Sequence, residues 1–132
     1  MADGNNHLDV LDTLLRAARK AGADTADALI YDATSLEISQ RLGMPEKLER
    51  AESADLGLRV LIGRQQAVVS STDHSEDAMA EMVTRAVAMA KAAPEDPYCG
   101  IADPAQLATE FRDLDIFDPA EPNPDAMVAM AA

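Results

Sequence analysis

The sequence predicts an α+β fold: an antiparallel sheet of four or five strands, joined as a hairpin meander, with two long helices packed on one face. Three observations carry this expectation. Apolar residues recur at helical spacing in two segments, one near the start and one after residue 75. Between them they alternate at strand spacing. The links between successive strands are short, whereas parallel pairing needs a long crossover.

The first helix is expected over Leu8 to Ala21. Leu8, Leu11, Leu15 and Ala18 fall at i, i+3, i+7 and i+10 on one face. Arg16, Arg19 and Lys20 lie toward the helix end that favours positive charge, and Gly22 is the expected stop. Strands are expected over Ala26 to Tyr31 and Ser35 to Arg41, the latter setting Leu36 and Ile38 against Glu37 and Ser39. A turn over Leu42-Gly43-Met44-Pro45 leads to a charge-rich strand from Glu46 to Glu52. The strongest strand pattern runs from Leu56 to Ile62, where Leu56, Leu58, Val60 and Ile62 share a face. Gly63-Arg64-Gln65 reads as a tight turn into an antiparallel strand from Ala67 to Ser71. The second helix spans Glu76 to Ala92. Ser75 is its N-cap, Glu76 and Asp77 fill its first turn, and Met79, Met82, Val83, Ala86 and Ala90 form its core stripe.

Beyond this the character changes. Six of the seven prolines lie at or after Pro94. From Asp103 to Asp125 there are seven acids and one base, Arg112. A short helix is expected over Ala105 to Phe111, and Asp118 to Pro124 reads as a linker. Residues 1–118 are therefore assigned to one domain. Residues 119–132 are assigned to a linker or the start of a downstream domain, as in an N-terminal piece of a longer protein.

Composition narrows the function classes. At 132 residues with 48% apolar residues, the chain has enough material for a core without disulfides or metal. Aromatics are 3% and Trp is absent, so that core is built from Leu, Ile, Val, Met and Ala. A formal charge of −13 disfavours nucleic acid and anionic membrane surfaces as partners. The single cysteine, Cys99, rules out an internal disulfide and fits a reducing compartment. No signal peptide or apolar run of spanning length is visible, so a cytoplasmic location is expected.

Catalytic constellations are thin. His7 is expected in an exposed N-terminus. His74 lies in Thr72-Asp73-His74-Ser75-Glu76 without a second His one helical turn away to share a metal. Ser70, Ser71 and Thr72 neighbour Asp73 and His74, but sequence adjacency does not make a triad, and no Gly-x-Ser-x-Gly surrounds them. They read as a strand end and capping turn. Cys99, in Pro97-Tyr98-Cys99-Gly100, reads as a quiet thiol. Gly57 and Gly63 flank a strand and form no phosphate cradle. No catalytic, cofactor-binding or metal-ligating residue is assigned.

The order of the pieces is more specific than any one of them. Lys20-Ala21-Gly22-Ala23-Asp24 closes a helix; hairpins follow, then Leu56-Gly57-Leu58-Arg59-Val60, then Ser70-Ser71-Thr72-Asp73, then an Ala/Met helix. Over residues 8 to 118 this resembles the N-terminal domain of the TldD/PmbA family, also described as modulators of DNA gyrase. Asp96-Pro97-Tyr98-Cys99-Gly100-Ile101-Ala102-Asp103 looks more like the PmbA (TldE) branch. The chain departs from the family at Leu42-Gly43, where the family often has Asn-Gly, and at Ala54, where a glycine is common; both concern turn geometry.

The resemblance implies a two-subunit cytoplasmic metallopeptidase acting on unstructured peptides. The resemblance further implies a metal, zinc, expected on a TldD-like partner with a His-Glu-x-x-x-His motif. That motif is missing between Met1 and Ala132. This chain is then expected to be a non-enzymatic scaffold and assembly domain, with an edge strand as a possible guide for peptide or seat for the partner. The alternative is a regulatory module binding a protein target such as DNA gyrase, in which an acidic surface competes for a basic DNA-binding face.

Overall fold

The computed structural model describes residues 4–120 and 123–131. In chain order they form α1 (Gly4–Lys20), β1 (Thr25–Arg41), β2 (Met44–Ile62), β3 (Gln65–Ser71), α2 (Glu76–Ala92), a 3-10 turn (Pro104–Gln106) and α3 (Pro124–Met130). The sheet has three strands in the order β1-β2-β3.

The expected count of four or five strands is corrected to three. Two pairs of expected strands are single long ones of 17 and 19 residues. The polar stretches Asp32-Ala33-Thr34 and Ser53-Ala54-Asp55 interrupt the apolar alternation but contain neither Gly nor Pro. A ladder made by backbone groups continues through such residues. The expected helix over Ala105 to Phe111 shrinks to the 3-10 turn, capped by the Asp103 side chain on Ala105 N–H. Of the expected linker, Glu121 and Pro122 lie outside the described residues, and Pro124 opens α3.

Contacts divide the chain into two compact units. One combines the stretch up to Asp32 with Ser53–Ala102; the other combines Ala33–Glu52 with the stretch from Asp103 onward. The first holds the core. Leu56, Leu58 and Val60 of β2 and Ala67 and Val69 of β3 point to one face and are buried. Ala26 of β1 joins them, with Ala28 and Ile30 packed alongside. Leu14 and Ala18 of α1 and Met82, Val83, Ala86 and Ala90 of α2 cover that face. Both long helices thus lie on one side, as expected. The α1 stripe is rotated, however: Leu14 is buried, Leu11 and Leu15 are partly buried, and Leu8 is 65% exposed.

The joints are set by local chemistry. Gly22, at φ 109°, ends α1. Ala23 N–H donates to Ala18 C=O at 3.1 Å and Gly22 N–H donates to Arg19 C=O at 3.1 Å, the paired bonds of a Schellman cap. Asp24 then reaches the far end of β2: its N–H donates to Leu61 C=O, and its carboxylate accepts from Gly63 N–H at 2.7 Å. The β2–β3 loop is Gly63-Arg64, with Ile62 opposite Gln65. Gly63 alone has positive φ there, as a II′ turn requires. Gln65 Nε2 donates to Ala93 C=O at 2.6 Å and Lys91 C=O at 3.3 Å, satisfying carbonyls that the end of α2 leaves open.

The second unit has no buried residue among those described. Its hairpin turns at Leu42-Gly43, both with positive φ (52° and 74°), the I′ pattern. Met44 and Pro45, expected in the turn, begin β2. Charge pairs line the hairpin. Lys47 Nζ lies 2.8 Å from Glu37 and 2.7 Å from Glu49, and Arg50 pairs with Glu52 at 2.8 Å. Gln40 Nε2 donates to Val128 C=O of α3 at 2.7 Å.

Candidate functional site

The Ser70–Glu76 connection is where sequence placed hydroxyls, an acid and a histidine together. The structure uses most of them as a helix entry. Ser71 Oγ accepts from Asp73 N–H at 3.0 Å and donates to Asp73 C=O at 3.1 Å. Asp73 Oδ1 accepts from Ser75 N–H at 2.8 Å, and Ser75 Oγ accepts from Ala78 N–H at 3.3 Å as the N-cap of α2. The Ser75 N–H, with help from the Ser75 side chain, holds the Asp73 carboxyl below the usual carboxylate range. Serine, aspartate and serine are thus linked in a row along the backbone, and no base is oriented toward a hydroxyl. His74 is half-buried, and its Nε2 has no hydrogen-bond partner among the described residues.

His7 corrects an expectation. It lies within α1 rather than an exposed terminus, and its side chain is 28% exposed with Nε2 3.5 Å from Asp32. The helix starts earlier than the apolar pattern indicates, so this histidine faces the sheet residue instead of water. Cys99 is a free, partly exposed thiol whose N–H donates to Asp96 C=O at 3.2 Å. Among the described residues no three His, Cys, Asp or Glu side chains group as metal ligands, and no helix is long and apolar enough to cross a membrane.

Sequence reasoning missed a polar feature on the sheet face turned away from the helices. Arg59 Nε donates to Asp27 Oδ1 at 2.9 Å, and Nη2 donates to Oδ2, a two-pronged pair between β2 and β1. The carboxylate raises the already high pKa of Arg59. Beside the pair is a hollow of about 410 Å³ lined by Leu29, Gly57 and Val68. Leu29 and Val68 are 59% and 63% exposed. The signal lay in the alternation itself: Asp27, Gly57, Arg59 and Val68 occupy the outward positions, yet only the register shows which of them meet. A second hollow, of about 420 Å³, lies between α1 and α2, with Val10, Leu14 and Met79 as its apolar wall and Asp9 and Glu76 at its rim. Neither arrangement brings together a nucleophile and a base. Both offer contact surface.

Comparison with known proteins gives this surface its context. Residues 26–90 match the family model described as PmbA/TldA metallopeptidase domain 1. The metalloprotease PmbA of Escherichia coli is 36% identical over 110 residues, covering 83% of this chain and 24% of that protein. The metalloprotease PmbA homologue of Haemophilus influenzae is 32% identical over 114 residues, covering 86% of this chain and 25% of that protein. The chain therefore spans about a quarter of the length of these relatives. Among solved structures, a candidate modulator of DNA gyrase from Bacteroides thetaiotaomicron superposes with a TM-score of 0.87 at 21% identity. It covers 99% of this chain and 30% of that one. TldE from Thermococcus kodakarensis superposes with a TM-score of 0.66 at 16% identity, over 78% of this chain and 23% of that one. With the expected order of helix, hairpins and helix observed, and with sequence and fold in agreement, the chain belongs to the TldD/PmbA family and carries its first domain.

Proposed function

We propose that this chain is the non-catalytic N-terminal scaffold and assembly domain of a PmbA (TldE)-like subunit in a two-subunit cytoplasmic metallopeptidase acting on unstructured peptides. The observation that carries the reading is the match of residues 26–90, which take in β2, β3 and nearly all of β1 and α2, to the first domain of a metallopeptidase family. The side chains support it. Ser71, Asp73 and Ser75 shape a helix entry, and Asp27 and Arg59 neutralise each other. The family resemblance implies a metal, zinc, on a TldD-like partner, and the proposal places none on this chain. β1 and β3 form the two sheet edges, and an edge strand recognises extended peptide or a partner strand by backbone bonds that ignore side-chain identity.

The test is co-purification of the full-length parent with its TldD-like partner, followed by zinc-dependent cleavage of an unfolded peptide, with and without residues 1–118. Loss of the complex and of cleavage on removing those residues is the expected result. A complex that forms and cleaves equally well without them overturns the proposal. The formal charge of −13 favours one competing reading, an acidic module acting on DNA gyrase. Inhibition of gyrase supercoiling by the full-length protein, without its partner, would favour that reading.

A further inference from the structure

The chain contains two phenylalanines, Phe111 and Phe117, and both are exposed, at 87% and 75%. They lie in a segment, Leu107–Ala120, that forms neither helix nor strand. Leu114 and Ile116 lie between them at 69% and 87% exposure. Acids separate these apolar residues: Glu110, Asp113, Asp115 and Asp118. A solvated linker has no use for such side chains, and each large apolar residue brought out of water is worth about 1.5–3 kcal/mol. A core otherwise built from aliphatic residues and alanine leaves its phenylalanines outside it.

We propose that Phe111–Phe117 is an extended docking strap whose apolar side chains lie against the remainder of the same full-length polypeptide. Two observations select this occupant over a separate protein. This chain matches 24% and 25% of the length of the two PmbA relatives, so each is far longer than it. The superposition on the Bacteroides thetaiotaomicron protein covers 99% of this chain, strap included, as 30% of a larger molecule. A segment built this way, carried within a much longer polypeptide, has its covering surface at high effective concentration. The acids between the apolar residues remain at the margin of the contact, where carboxylates keep their water.

The test uses the full-length protein with Cys99→Ser, carrying Leu114→Cys or Ile116→Cys singly, so that a folding failure at one position leaves the other. Circular dichroism establishes that each variant is folded. Maleimide labelling of the strap thiol is followed by mass spectrometry in buffer and in urea. The expected result is labelling slowed more than about tenfold in buffer relative to urea, independent of protein concentration. The unsubstituted protein supplies a second readout, slowed amide exchange across residues 111–117. Labelling as fast in buffer as in urea, with unprotected amides, overturns the proposal. Slow labelling that is lost on dilution assigns the strap to a second copy and also overturns it.

Discussion

Strands β1 and β2 each run through two settings, and their halves are held by different physics. In the segments up to Asp32 and from Ser53, alternate side chains are buried beneath two helices; Leu56, Leu58 and Val60 are wholly enclosed. From Ala33 to Glu52 nothing is buried, and the hairpin carries exposed ion pairs around Lys47 and Arg50. Exposed pairs contribute little, because water screens them and two long side chains must be ordered. Burial does not have that limit. One pair of strands therefore contains a half that makes the domain stable and a half whose sequence is free to serve other contacts.

Substitutions can break or sharpen this contrast. The largest effect is expected at the centre of the buried half. Leu58→Ala should lower stability in urea unfolding by about 2–5 kcal/mol, since it removes enclosed methyl groups and leaves a cavity. Gly22→Ala should cost about 1–2 kcal/mol by forcing a side chain onto a positive-φ residue in the Schellman cap. Ser75→Ala should cost about 1 kcal/mol through loss of the α2 N-cap, with no effect on the hairpin.

In the exposed half, Leu42→Asn should be stabilising by up to about 1 kcal/mol, because asparagine tolerates the left-handed backbone that leucine resists. Slower amide exchange around residues 40–46 would show it. The smallest effect is expected from the Lys47 pairs, and it depends on pH. Hydrogen bonding to Lys47 lowers the pKa of Glu49, and bonding to Glu37 first and Glu49 second raises that of Lys47. The glutamate's contribution is present above its unfolded value of about 4.3 and is lost as pH falls through the depressed folded value. The lysine's contribution is present below about 10.4 and is lost as pH rises through the raised folded value. Glu49→Gln should therefore give a slightly lower urea midpoint near pH 7 and the parent midpoint in strong acid. A large difference at pH 7 would refute the division between the halves.

The buried half was the legible one. The Leu56 to Ile62 alternation, the α2 stripe, the Ser75 cap and the Gly22 stop are each written in local residue types that act within a few positions. Two things were not legible there. The α1 stripe is rotated, because Leu8, Leu11, Leu14 and Leu15 permit more than one apolar face and tertiary packing chooses. The Asp27–Arg59 pair spans 32 positions and depends on strand register. Where the two halves meet along each strand, the stretches 32–34 and 53–55 interrupt the apolar alternation and hid the continuity of β1 and β2, since backbone pairing leaves no mark on side-chain pattern. His7 was misplaced because the apolar repeat understates how far a helix extends.

The hooks around Gly63 and Gln65 also bear on the order of assembly. β2 and β3 are joined by a two-residue loop, α2 follows within four residues of β3, and Gln65 ties the start of β3 to the end of α2. These contacts close short loops, which form with little entropic delay. The helix α1 meets α2 through residues such as Leu14 and Met82, far apart along the chain. The expected nucleus is therefore β2–β3–α2, with α1 arriving last: a conservative core substitution at Val69 should slow refolding, while one at Leu14 should mainly speed unfolding. A single glutamine holding two carbonyls is enough to register a strand against a helix before the rest of the chain has found its place.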